Sequence, residues 1–355
     1  MDINNIVNKP IFFERNRVGR VYTGGKLYKD FFGDDSVDGY LPEEWMASAT
    51  KALNKGSTDP KEGVSKVLGT KIYFDDLLRD YKDDLIGDRE SFDILVKMLD
   101  SAIRLPVQAH PDKAFSRKHF NSSYGKAESW IIVGVRPGAK IYLGFSEKVS
   151  PERFDAAIEA SRDKDIDKFS EFLNEAHVKP GECFFIPARV IHAIGPGCLI
   201  LEIQEPSDFT ISPEYWCGEY EQSPDEMYLG LDKDIAISVF DFEVYGKEVL
   251  EANRIIPKII ENTDGILREV IIDENVTDCF SLHKITIKSG EDKLNVAPAI
   301  FVVTNGEGEI VGNEYTRPIK KGDYFFMPVA AGDDFSIKAA NFLEFYECCP
   351  PKLFT

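Results

Sequence analysis

The sequence predicts a mainly β fold with inserted helices, built as two related β-barrel domains at residues 1–247 and 248–355. Three observations predict it. Short apolar runs such as "ESWIIVGV" at 128–135 and "AIFVVTNGEGEI" at 299–310 are separated by glycine-rich turns, the text of strands in barrels and sandwiches. Helix-period text is confined mainly to the first two thirds, as insertions near 75–103 and 150–176. One frame occurs twice: Gly181 leads through Pro187 to His192, and Gly322 leads through Pro328 to Asp333, with identical spacing. The second copy has Asp where the first has His, so only the first domain is equipped for chemistry.

The elements follow in order. Val21 to Gly33 joins a short strand to a Gly-Gly turn, and Asp75 to Leu85 reads as a short helix. Phe92, Leu95, Val96, Leu99 and Ile103 fall on one helical face, which predicts a helix over 89–103. From Leu105 the period becomes two, so Gln108 and His110 share one face and Val107 and Ala109 the other. Strands are predicted at 128–135 and 139–145, and a helix with a Ser-Pro-Glu start over 150–176. Strands follow at 182–187 and 192–204, a helix at 223–240, and β text from about Leu267 to Glu347.

The net charge of −19 argues against nucleic acid and anionic membrane as partners. An anionic ligand would need a local cluster of Lys or Arg. No apolar stretch approaches the roughly 18 residues of a membrane span, and no signal-peptide pattern opens the chain. The six cysteines form no CxxC pair, so free thiols and a cytoplasmic location are expected. The sequence carries no signal of oligomeric state.

Two imidazoles, a carboxylate and an amide oxygen stand on strand text: Gln108, His110, Glu128 and His192. That donor set suits one Zn²⁺ or another divalent ion. Lys126 shares the parity of Glu128, and Lys113 and Arg189 stand in nearby turns, so these cations are candidates for an anionic substrate.

"LPVQAHPDKAF", "GKAESW" and "IPARVIHAIGPGCLILEIQEPSD" resemble the type I mannose-6-phosphate isomerase family in its shorter bacterial form. The likeness extends to "GRVYTGGKL", "PEEWMAS" and the terminal β region. It implies a double cupin with a helical insertion, one zinc on Gln108, His110, Glu128 and His192, and interconversion of mannose 6-phosphate and fructose 6-phosphate through an enediol. Lys126 matches a lysine beside the family's metal-binding Glu. Ser212 stands where the family has an arginine, Arg189 where it has glycine, Thr23 in place of tryptophan and Thr50 in place of histidine. Arg189 is therefore expected to supply the missing cation. Lys126 is the first candidate for the general base, with Glu205 and Asp208 as alternatives. Lys113, Arg189 and Ser48 are the candidates for holding a phosphate. An isomerase of another phosphorylated sugar, a non-catalytic sugar-phosphate-binding relative and an iron dioxygenase are the competing readings.

Overall fold

The computed structural model describes residues 3–353. Strand Glu128–Val135 lies inside a seven-stranded antiparallel sheet. The order is Arg254–Ile255, Cys183–Ile186, Glu128–Val135, Cys198–Gln204, Leu95–Asp100, Glu43–Met46 and Arg17–Val18. A three-stranded sheet of Leu173–His177, Lys140–Phe145 and His192–Ile194 packs against it through Trp130, Ile132, Ile141, Leu143, Ile194 and Ile200. These two sheets enclose the first β domain.

Strand periodicity then decides what points where. Ile131, Leu201, Val96 and Met98 face outward from this barrel, against Leu282, Ile300, Phe326 and Tyr346 of a ten-stranded sheet. The residues between them, Trp130, Ile200 and Leu99, face the barrel interior. The larger sheet also buries its far face, where Phe301, Phe325 and Phe345 pack on Ile310 and Ile337. Sheets buried on both faces carry unbroken apolar runs.

That double burial explains the main departure from the predicted elements. No helix runs through 95–100; Leu95–Asp100 is a strand with all six residues buried, between Glu43–Met46 and Cys198–Gln204. With both faces buried the alternation vanishes, and chance i, i+3, i+4 spacing mimics a helix. The 75–103 insertion thus reduces to Phe74–Asp80 and Lys82–Ile86. The 150–176 helix is likewise shorter. It covers Pro151–Ala160, capped by Ser150, and Leu173–His177 is a strand beside Lys140–Phe145. The helix predicted at 223–240 is two short ones, Pro224–Tyr228 and Lys233–Ile237, separated by Leu229 and Gly230 at positive φ.

The repeated frame has a backbone reason. Gly181 and Gly322 sit at φ +92° and +90°, in turns that a side chain disfavours, and each precedes a strand ending at the frame's proline. The sheets also exchange short strands across residue 247. Ile11–Phe12 pairs with Phe325–Phe326, and Arg254–Ile255 pairs with Cys183–Phe184. Among the described residues, no helix is long and apolar enough to cross a membrane. All six cysteines are free and buried.

The join between the two sheets is a stability hot spot. Phe326 is fully buried and meets Phe74 and Phe92 edge-on at 5.0 and 5.1 Å. Phe326→Ala is expected to lower the unfolding free energy by about 3–5 kcal/mol, read from the denaturant midpoint.

Candidate metal centre

Segment 105–110 is extended but joins no regular sheet. Gln108 and His192 bond reciprocally through their backbones, N–H to C=O at 2.9 Å in both directions. This clamp delivers two ring systems to one place. The His110 and His192 Nε2 atoms are 3.1 Å apart. His110 Nδ1 lies 2.9 Å from the Phe209 carbonyl, and His192 Nδ1 lies 2.8 Å from the Val190 carbonyl. A carbonyl can only accept, so both Nδ1 atoms carry the hydrogen and both Nε2 lone pairs converge.

Glu128 opens the next strand and completes the group. Its Oε2 is 3.3 Å from His110 Nε2, and its Oε1 is 3.5 Å from His192 Nε2. Trp130 Nε1 donates to Oε1 at 3.0 Å and orients the carboxylate, whereas Oε2 has no hydrogen-bond partner. Two facing lone pairs and a carboxylate, all buried and with only the Lys126 ammonium beside them, form a donor set that a cation between them would satisfy. The three donors lie within 4.8 Å of one another, the only such group of three among the described residues, and suit a divalent metal. Burial, reinforced by Lys126, pushes His110 down to about 3, and burial also lowers His192. Both rings are therefore neutral at physiological pH, the form that ligates. Burial works to raise the Glu128 carboxyl, but Lys126 and then His110 outweigh it and hold it well below the usual range.

A cavity of about 550 Å³ opens above this group, and Gln108, Lys126, Lys97 and Glu202 line it. Lys126 Nζ is 3.2 Å from His110 Nε2 and 3.3 Å from Glu128 Oε2. Lys97 and Glu202 stand directly opposite each other on neighbouring strands, with Nζ and Oε1 3.3 Å apart. Glu43 lies 3.8 Å from Lys97 on the other side. It also accepts from Tyr22 and Trp45 and pairs with Arg20 at 3.1 Å. Glu202 is pushed up to about 7, by burial first and then by the negative Glu128, which Lys97 and Lys126 only partly offset. Lys97 is raised as well: burial works to lower it, but Glu43 and then Glu202 outweigh that and hold it charged. These directions agree if Lys97 answers chiefly to the strongly ionised Glu43, leaving Glu202 short of positive charge.

The cavity brings together some of the expected residues and not others. His110, Glu128, His192 and Lys126 converge, and Gln108 lines the cavity beside them. Asp208 also lines the cavity, held by Arg20 at 3.0 Å and by the Leu53 N–H at 2.8 Å. Glu205 is turned away, accepting from the Gly125 and Ala127 N–H groups. Lys113 is half-exposed beside Glu205 and Asp278, and Ser48 is buried in a turn with Ser65 and Thr50; neither lines the cavity. Arg189 is a correction. Its guanidinium bonds the Val239 and Ser238 carbonyls, outside the cavity. What Arg189 contributes is its backbone N–H, which donates to the His110 carbonyl at 2.7 Å with φ at +72°. That left-handed conformation suits glycine. Arg189→Gly is expected to leave kcat within about twofold and to raise the unfolding free energy by at most about 1 kcal/mol, relief of the left-handed backbone being partly offset by the lost guanidinium bonds; a large loss of kcat would return the side chain to the site.

Several charged lining residues escaped the sequence reading, among them Lys97, Glu202, Glu43, Arg20 and Lys55. For Lys97 and Glu202 the available signal was a charged residue inside an apolar run, in "LVKMLD" and "CLILEIQ". Lys97 was hidden by the helix reading of that segment.

No family model matches the chain. It is 31% identical over 255 residues to the mannose-6-phosphate isomerase ManA of Bacillus subtilis, covering 70% of this chain and 72% of that protein. Its fold matches a crystal structure of the mannose 6-phosphate isomerase from Bacillus subtilis with a TM-score of 0.74 at 23% identity, over 95% of this chain and 99% of that one. A mannose 6-phosphate isomerase bound with zinc and yttrium matches with a TM-score of 0.68 at 16% identity, over 97% and 100% of the two chains. The structural likenesses establish the double-barrel cupin fold. The sequence relative adds the lineage, and with it the converging His-Glu-His donors have a context: the chain belongs to the mannose-6-phosphate isomerase family.

Proposed function

We propose that this chain is a metal-dependent aldose–ketose isomerase that interconverts mannose 6-phosphate and fructose 6-phosphate through an enediol. The observation that carries the reading is the convergence of two unprotonated ring nitrogens and the Glu128 carboxylate beside a cavity lined by Lys126, Lys97 and a second, separately tuned carboxylate, Glu202. His110, Glu128 and His192 would hold the ion, with Gln108 as a fourth donor. Zn²⁺, one per chain, fits these N and O donors and is the ion held by one of the fold relatives. When bound, a divalent ion supplies Lewis-acid stabilisation of the charge that develops on the sugar's C1 and C2 oxygens.

The chain's own groups do the proton work. The Glu202 carboxylate takes the proton from C2 of the open-chain aldose, while an ammonium, Lys97 or Lys126, donates a hydrogen bond to O1 as the enediol forms. Glu202 then returns that proton to C1; the ammonium's proton completes the O1 hydroxyl, and the O2 hydrogen replaces it on the amine as the C2 carbonyl forms. A carboxyl group with its pKa near 7 is matched to both halves of this shuttle. Glu43 keeps Lys97 charged and in place. The burial of these groups excludes water that would compete for the proton.

The test is a coupled assay on metal-replete protein with mannose 6-phosphate and other phosphorylated aldoses. Turnover of mannose 6-phosphate well above the others is expected. Absence of isomerisation of any phosphorylated aldose would remove the catalytic reading.

A further inference from the structure

We propose that Lys55 holds the substrate's phosphate at the mouth of the cavity and makes the site selective for a phosphorylated sugar. The inference rests on the isomerase reading for the identity of the sugar.

Four cations line the cavity: Arg20, Lys55, Lys97 and Lys126. The three besides Lys55 are already committed. Lys97 pairs with Glu202 and Arg20 with Asp208, their side chains only 3% and 12% exposed, and Lys126, 5% exposed, stands against the metal donors at the reacting end of the sugar. A phosphate drawn to Lys97 or Arg20 must separate a buried pair and leave a carboxylate without its counter-ion, which is strongly unfavourable.

Lys55 is different. Its side chain is 58% exposed and meets the Ser223 hydroxyl at 2.9 Å and Glu226 Oε2 at 3.5 Å. Glu226 does not depend on it, because the Ser223 N–H and hydroxyl and the Tyr220 hydroxyl all donate to that carboxylate. A solvent-screened contact of this kind is weak, so Lys55 can leave it for a dianion.

The backbone beneath Lys55 is fixed at the rim. The Leu53 N–H donates to Asp208, and the Asn54 side chain donates to the Gly19 carbonyl and accepts from Arg20. A neutral donor faces the same space. The buried Ser212 hydroxyl oxygen accepts from the Glu214 N–H at 3.3 Å and the Gln222 amide at 3.4 Å, which leaves its own hydrogen to donate into the cavity. Lys55 thus brings charge and Ser212 a hydrogen bond to the phosphoryl oxygens, at the end of the cavity where the matched pairs need not open.

The experiment compares mannose 6-phosphate with free mannose in Lys55→Gln and Lys55→Arg, both metal-replete. Lys55→Gln is expected to raise KM for mannose 6-phosphate about tenfold or more with kcat within about twofold, leaving KM for mannose unchanged. Lys55→Arg recovers most of the affinity. An unchanged KM for mannose 6-phosphate in Lys55→Gln, or an equal rise for both sugars, overturns the assignment. If the wild-type protein isomerises neither sugar, the isomerase reading falls, and binding of inorganic phosphate by calorimetry decides the fate of Lys55. A tenfold weaker phosphate affinity in Lys55→Gln sustains it, and equal affinity overturns it.

Discussion

Replacing His110 or His192 by alanine removes the bound metal and lowers kcat by a factor on the order of 10³ or more. Each ring supplies an unprotonated Nε2, and no other group of three close donors among the described residues offers a substitute. Losing Lewis-acid stabilisation costs several kcal/mol in the transition state, and every 1.4 kcal/mol is tenfold in rate. The fold is expected to survive, because the apolar barrel core around Ile132, Ile141 and Ile200 includes neither histidine. Metal content by elemental analysis, with circular dichroism as the control, checks the result. Stoichiometric metal in either folded variant would exclude that histidine as a ligand.

Glu202→Gln keeps the metal and lowers kcat by about 10²–10⁴, the usual contribution of a positioned acid–base group. The amide preserves the side chain's volume next to Lys97 but can neither take nor return the C2 proton. The wild-type pH profile carries the same signature. Only the ionised carboxylate takes the proton, so with its pKa at about 7 the group is lost as a base when pH falls. Burial, the largest cause of the rise, persists with the ion bound, whereas the ion neutralises the Glu128 charge that adds to it; kcat/KM is therefore expected to drop about tenfold per pH unit on an acid limb that lies below 7, and this limb should be missing from whatever activity Glu202→Gln retains. A variant with wild-type kcat would move the base to another group, Lys126 being the nearest alternative in the cavity.

Much of the candidate centre was legible in the sequence. Gln108 and His110 stand two apart on an extended segment, the spacing at which side chains share a face, although that segment joins no regular sheet. Glu128 begins a strand bounded as the apolar run predicts, Glu128–Val135. The turn after Pro187 delivers His192 to the pair. The same text misled at Lys97. Periodicity reports one buried face against one wet face, and Leu95–Asp100 has no wet face.

Arg189 and Lys55 mark the other boundary. Sequence proximity to His192 suggested a cation in the site, yet a left-handed backbone at 189 aims the guanidinium at the Ser238 and Val239 carbonyls. Lys55 gave no signal of its own, and the loop that carries it reaches the rim because Asp208, distant in sequence, binds the Leu53 N–H. By itself the sequence determined the donor chemistry, the strand character of most elements and the lineage, since each depends on residue type and local spacing. Only the tertiary structure decided which charges share a cavity, which are already paired, and which carboxylate is pushed to about 7. Those outcomes depend on burial and on distances between strands far apart in the chain, and electrostatic energy in a buried site follows separation in space rather than in sequence.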